Sequence, residues 1–105
     1  MFPKNILRIE ASTFKNSIKN ISVLFGKRIL EVDNEAFKYS NIRLVYLPNC
    51  RFLRFQAFYY SKLVNIIAPN VETIDEQCFQ GCTFLQDCFF PKCVKCNLCF
   101  NGCAQ

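Results

Sequence analysis

Four of the eight cysteines fall in one run, Cys93-Val-Lys-Cys96-Asn-Leu-Cys99-Phe-Asn-Gly-Cys103, with the spacing C-x2-C-x2-C-x3-C. Thiolates at these intervals can wrap an iron–sulfur cubane, and four of them can also hold a tetrahedral zinc ion. Two features speak against a cluster: Ala104 stands where a proline ordinarily follows the fourth ligand, and no second run supplies the ligands that two-cluster proteins carry. Other chemistry has fewer residues to draw on. The chain has no His, the side chain most used for acid–base work near neutral pH. It has no glycine-rich phosphate loop and no Cys/His nucleophile pair. The carboxylates of Asp75-Glu76 and of Glu31, Asp33 and Glu35 are expected on outward, solvated positions. No residue is therefore assigned to catalysis, no cofactor is expected, and the chain reads as a non-enzyme.

Composition narrows the partners. Half the residues are hydrophobic (51 %) and a fifth charged (20 %), which suits a folded domain and not a disordered chain. Residues 1–62 carry eleven Lys or Arg against four acids, and residues 63–105 two against four. The basic side chains are scattered singly apart from Lys27-Arg28, so the clustered patch of a nucleic-acid binder is missing and that reading ranks third, resting on Arg43, Arg51 and Arg54. No segment approaches the roughly 18 apolar residues of a membrane helix. The opening Met-Phe-Pro-Lys-Asn-Ile-Leu-Arg-Ile-Glu has no cleavable signal pattern, which gives a cytoplasmic expectation, with the cell surface open if the chain is a piece of a longer protein.

The elements that position these residues follow from a repeat. Phe14, Phe37, Phe58, Phe79 and Phe100 are separated by 23, 21, 21 and 21 residues. Each is followed three residues on by a small side chain: Ser17, Ser40, Ser61, Cys82 and Cys103. Pro48, Pro69 and Pro91 recur in phase, with Ile42, Leu63 and Leu85 six residues before them and Val45, Ile66 and Cys88 midway. A unit of this length cannot bury its own apolar face, so units must stack with like positions over one another. Each unit then supplies two short parallel strands. Leu63, Ile66 and Ala68 face the core from the first, Val71 and Ile74 from the second, and the proline bends the chain between them. The Phe fills the closing corner, and no long helix is expected.

The same columns account for the cysteines. Cys93 falls under Val71, Cys96 under Ile74, Cys99 under Cys78 and Cys103 under Cys82, so the favoured reading is that all four fill the core as small apolar side chains. Stacked positions lie about 4.8 Å apart, within the range a disulfide spans, which makes Cys82 with Cys103 and Cys78 with Cys99 the possible bridges. Without a secretion signal these pairs are expected to be reduced.

One unit reads Leu63-Val-Asn-Ile-Ile-Ala-Pro-Asn-Val-Glu-Thr-Ile-Asp-Glu-Gln-Cys-Phe-Gln-Gly-Cys-Thr83. This resembles the BspA-like class of leucine-rich repeat, whose units follow a pattern close to L-x-x-I-x-x-P-x-V-x-x-I-x-x-x-A-F-x-x-C. The first units depart from it by lacking the proline before Ile29, and the last is one residue shorter before Phe100. The expected fold is a mainly β solenoid of 21–23-residue units with two short parallel strands per coil. It would form one domain over residues 1–105, of four to five coils, either complete or part of a longer array. The resemblance implies recognition of proteins or cell surfaces.

A protein-interaction module is thus the first reading, and a metal or iron–sulfur protein using Cys93, Cys96, Cys99 and Cys103 the second. The binding face is expected where residues two before each proline point outward, at Tyr46, Ile67 and Phe89, beside Arg43, Leu44 and Val64. Ser22 is expected to be the polar counterpart of that row in the first coil. The chain ends at Cys103-Ala104-Gln105 without a polar capping unit, which points to end-to-end self-association or a partner at the end of the stack.

Overall fold

The computed structural model describes residues 8–9 and 22–96, with side chains from residue 22 onward. Nine strands fall in these residues: β1 (Arg8–Ile9), β2 (Val23–Phe25), β3 (Glu31–Val32), β4 (Leu44–Tyr46), β5 (Phe52–Leu53), β6 (Asn65–Ile67), β7 (Thr73–Ile74), β8 (Asp87–Phe89) and β9 (Lys95–Cys96). They form two parallel sheets, β1-β3-β5-β7-β9 and β2-β4-β6-β8, so each strand pairs with the equivalent strand of the next coil. The described residues contain no helix. This is the two-ladder solenoid that the repeat predicts.

The core is made of columns, because parallel stacking in constant register sets like residues over like. Val32 lies over Leu53 and Leu53 over Ile74, all buried. Leu24, Val45 and Ile66 form the corresponding column of the other sheet, again buried. Leu63, Ile66, Ala68, Val71 and Ile74 all face inward as expected. Phe37, Phe58 and Phe79 stack face to face, with centroids 5.4 and 5.5 Å apart and planes within 4°. The column next to the turn alternates in size, Gly26, Leu47, Ala68, Phe90. A Cβ on Gly26 would collide with Ile29 and Leu47, so the small residue there makes room for its large neighbours.

The closing corner needs a sharper reversal than the repeat pattern discloses. In every described coil the residues two before and two after the Phe are left-handed: Glu35 and Tyr39, Gln56 and Tyr60, Gln77 and Gly81, with φ between 52° and 77°. Only one of the six is glycine, although this conformation costs a side-chain-bearing residue roughly 1–2 kcal/mol. Hydrogen bonds between coils offset the strain: the amides of Glu35, Phe37 and Tyr39 donate to the carbonyls of Phe55, Ala57 and Tyr59, at 2.7–2.9 Å. Gln56 Nε2 also donates to Gln77 Oε1 at 2.6 Å. Asn side chains do the same at the proline turn, where Asn49 Nδ2 donates to the Lys27 carbonyl and Asn70 Nδ2 to that of Pro48. Among the described residues every buried side-chain nitrogen and oxygen has a partner.

Glu76 is exposed as expected, but two of the other carboxylates are ion-paired. Glu31 and Asp75 are half-buried and flank Arg54, whose Nε donates to Glu31 at 2.6 Å and whose Nη1 lies 3.9 Å from Asp75. Glu31, Arg54 and Asp75 belong to three successive coils, so the charges bridge the stack instead of standing alone in water. Arg51 pairs with Glu72 in the same way.

Candidate functional site

The outward face of the β2-β4-β6-β8 sheet carries the row expected to bind. Its register places Phe25 beside Tyr46, Tyr46 beside Ile67, and Ile67 beside Phe89. All four are exposed, between 40 % and 61 %. The rings of Phe25 and Tyr46 stack with centroids 5.1 Å apart. Tyr46, Ile67 and Phe89 are therefore where the sequence placed them. Ser22 is not their counterpart: it precedes β2, and its carbonyl accepts from the amides of Arg43 and Leu44. The first coil has no proline from which to count, so the offset misplaced the row there, and Phe25 extends it as a fourth apolar member.

A second outward row, two residues earlier, consists of Val23, Leu44, Asn65 and Asp87. Leu44 thus stands on the face as expected. Arg43 and Val64 lie one residue before the strands, Arg43 exposed and Val64 half-buried. Between the two rows runs a groove of about 320 Å³, floored by Leu24 and Val45 and walled by Phe25, Tyr46 and Ile67 on one side and Val23, Leu44 and Asn65 on the other. It follows the stacking direction. Apolar side chains remain exposed here because strand alternation turns every second residue away from the core, whatever its polarity.

A second aromatic patch was not singled out from the sequence. Tyr39, Tyr59 and Tyr60 cluster at the closing corner, with centroids 4.6–6.1 Å apart, and Lys38 Nζ lies 5.1 Å from the Tyr59 ring centroid. A side chain on Gly81 would run into the Tyr60 ring, so glycine there leaves the ring its place. Extending the repeat columns two residues past each Phe would have found Tyr39 and Tyr60.

The cysteine run does not present four thiolates. Cys96 is disulfide-bonded, whereas Cys50, Cys78, Cys82, Cys88 and Cys93 form no disulfide; Cys99 and Cys103 lie outside the described residues. Cys96 is exposed on β9, at the edge of its sheet among the described residues. The bridges considered through Cys78 and Cys82 are not formed. Cys82 is buried and donates its S–H to the Phe58 carbonyl at 2.9 Å. No group of three or more metal-ligating side chains occurs among the described residues. Burial holds the Cys78 thiol well above its ordinary range, and burial pushes Cys50 up to about 12.

Exposure therefore orders the thiols. On treatment with iodoacetamide under native conditions, Cys88 should label first, half-buried Cys93 more slowly, and Cys50, Cys78 and Cys82 only after unfolding, because the thiolate is the reactive form. Peptide mass mapping reads this out. Labelling of Cys78 as fast as Cys88 would mean that the coils are not stacked as described.

Arg43, Arg51 and Arg54, on which a nucleic-acid reading rested, do not form one surface. Arg43 precedes β4 of one sheet, while Arg51 and Arg54 flank β5 of the other and are ion-paired to Glu72 and to Glu31 and Asp75.

Comparison with protein families adds the deciding observation to the 21-residue coils: residues 1–105 match the BspA type leucine rich repeat region, in six copies. The chain belongs to the BspA-type leucine-rich repeat family. Comparisons with curated proteins and with solved structures find no match. Leucine-rich repeats serve as scaffolds, and stacking gives such a scaffold an extended surface. In this BspA-type solenoid that surface includes the apolar groove. No helix among the described residues is long and apolar enough to cross a membrane.

Proposed function

We propose that the chain is a protein-recognition module that captures a partner protein on the exposed face of the β2-β4-β6-β8 sheet. The observation that carries this reading is the unbroken row Phe25, Tyr46, Ile67, Phe89. Single exposed apolar residues are ordinary on a protein surface. Four in register across four coils form a contiguous patch, and such patches mark interaction sites. Aromatic residues with an Arg nearby are also the composition of interface hot spots, and Arg43 is exposed one residue before β4. The residues act as one solenoid domain.

Replacing Tyr46 and Phe89 together by Ser is expected to leave the melting temperature nearly unchanged, because neither side chain is in the core. Affinity for a partner captured by the wild-type chain should fall by about 2 kcal/mol or more. Titration calorimetry against that partner, with circular dichroism melts of both proteins, checks this. A folded double variant that binds as the wild type does would remove the face from the function.

A further inference from the structure

Three of the chain's four tyrosines, Tyr39, Tyr59 and Tyr60, meet at the closing corner, outside the apolar groove. Tyr39 and Tyr60 hold equivalent places in successive coils, each two residues after the Phe, and both are left-handed, with φ of 61° and 52°. Equal backbone conformations in neighbouring coils send the two side chains out in the same direction. Their rings accordingly stack, with centroids 6.1 Å apart and planes 29° apart. Both are exposed, at 48 % and 49 %, and neither belongs to the core. A small oxidant can therefore reach both rings, and each is free to turn about its side-chain torsions towards the other.

Tyr59 is placed differently. It is half-buried, meets Tyr39 and Tyr60 edge-on at 75° and 76°, and has Lys38 Nζ 5.1 Å from its centroid. Glu35 holds the same ammonium at 3.4 Å. These contacts fix Tyr59 and leave Tyr39 and Tyr60 as the pair with freedom to couple. Competing sinks for an oxidant are few, since the chain has no Trp and one Met, and Cys50, Cys78 and Cys82 are buried.

We propose that Tyr39 and Tyr60 form an oxidative cross-linking site, at which hydrogen peroxide, acting through a one-electron peroxidase, joins two successive coils by a dityrosine bond. Each phenol gives up one electron and its hydroxyl proton, leaving a radical shared between the oxygen and the ring carbons ortho to it. The two radicals combine through one ortho carbon, Cε, of each ring. The hydrogen on each joined carbon then passes to the phenolic oxygen, which restores both phenols. Two hydrogen atoms leave in all, and they reduce one hydrogen peroxide to two waters. The bond closes a loop between neighbouring coils that packing and hydrogen bonds alone otherwise hold together.

The test uses the full chain, with its accessible thiols first alkylated by iodoacetamide in the folded state so that they do not quench the radicals. Hydrogen peroxide and a haem peroxidase are then added at low protein concentration. Blue dityrosine fluorescence should rise while the chain stays monomeric on size-exclusion chromatography. Mass mapping of a tryptic digest should find the peptides of Tyr39 and Tyr60 joined, lighter by two hydrogen atoms than their sum. Tyr39→Phe and Tyr60→Phe keep the ring and remove only the hydroxyl, and each should lower the yield of this product at least tenfold. Tyr59→Phe should leave it within about twofold of the wild type. Dityrosine confined to covalent dimers would overturn the site, as would a link through Tyr59 in place of Tyr60, or tyrosine oxidation without any cross-link.

Discussion

Phe58→Ala is expected to destabilise the solenoid by about 3–5 kcal/mol, the range for truncating a well-packed aromatic core residue. Phe58 is fully buried, and its ring lies between Phe37 and Phe79 at 5.4 and 5.5 Å. Truncation therefore removes contacts on both faces. In a solenoid each coil touches only its neighbours, so a lesion in a central coil weakens two interfaces at once. Left-handed Gln56 and Tyr60 flank this ring, and the strained corner they form has little freedom to collapse into the cavity. Small domains have about 5–15 kcal/mol in total, so the variant should unfold at much lower urea or be unfolded at 37 °C. Urea unfolding followed by far-UV circular dichroism measures the change. A loss below about 1 kcal/mol would contradict a continuous phenylalanine stack.

Alkaline conditions should unfold the protein through its buried thiols. Burial pushes the Cys50 thiol from its ordinary value of 9.0 up to about 12, so the folded chain holds this proton more tightly than the unfolded chain. The associated stability is fully present below pH 9 and is lost as the pH rises towards 12. Each pKa unit corresponds to about 1.4 kcal/mol, so at most about 4 kcal/mol is at stake, of which roughly 2.5 is gone by pH 11. Cys78 is raised for the same reason and adds in the same direction. Cys50→Val isolates the effect, because Cys50 shares its column with Ile29 and Val71 and an aliphatic side chain suits the site. The two proteins differ in this group alone. The stability difference between wild type and variant should therefore shift by roughly 2.5 kcal/mol in the variant's favour between pH 8 and pH 11. A difference independent of pH would show that the Cys50 thiolate is solvated in the folded state.

Much of this fold is legible along the chain because a solenoid converts sequence period directly into spatial neighbourhood. Residues 21 apart become lateral partners, so the recurrence of Phe37, Phe58 and Phe79 reports a stack, and Leu53 with Ile74 reports a core column. The outward apolar row was legible for the same reason at Tyr46, Ile67 and Phe89, each two residues before a proline. It was lost at Phe25, where the first coil has no proline and only the pairing of β2 with β4 fixes the offset.

The sequence by itself determined the repeat, its family, which residues share a column and which strand positions turn outward, since all of these follow from spacing. Three matters were decided by the tertiary structure. Cys88 occupies the same column as Ile66 yet is exposed, because among the described residues no strand pairs with the other side of β8, which column membership does not reveal. Glu31, Arg54 and Asp75 come together across three coils, which turns expected surface charges into a bridge, because lateral side-chain geometry is not written in the period. The corners hold five non-glycine residues in a left-handed conformation, against their local preference. Hydrogen bonds to the next coil hold them there, and those bonds exist only once the coils are stacked.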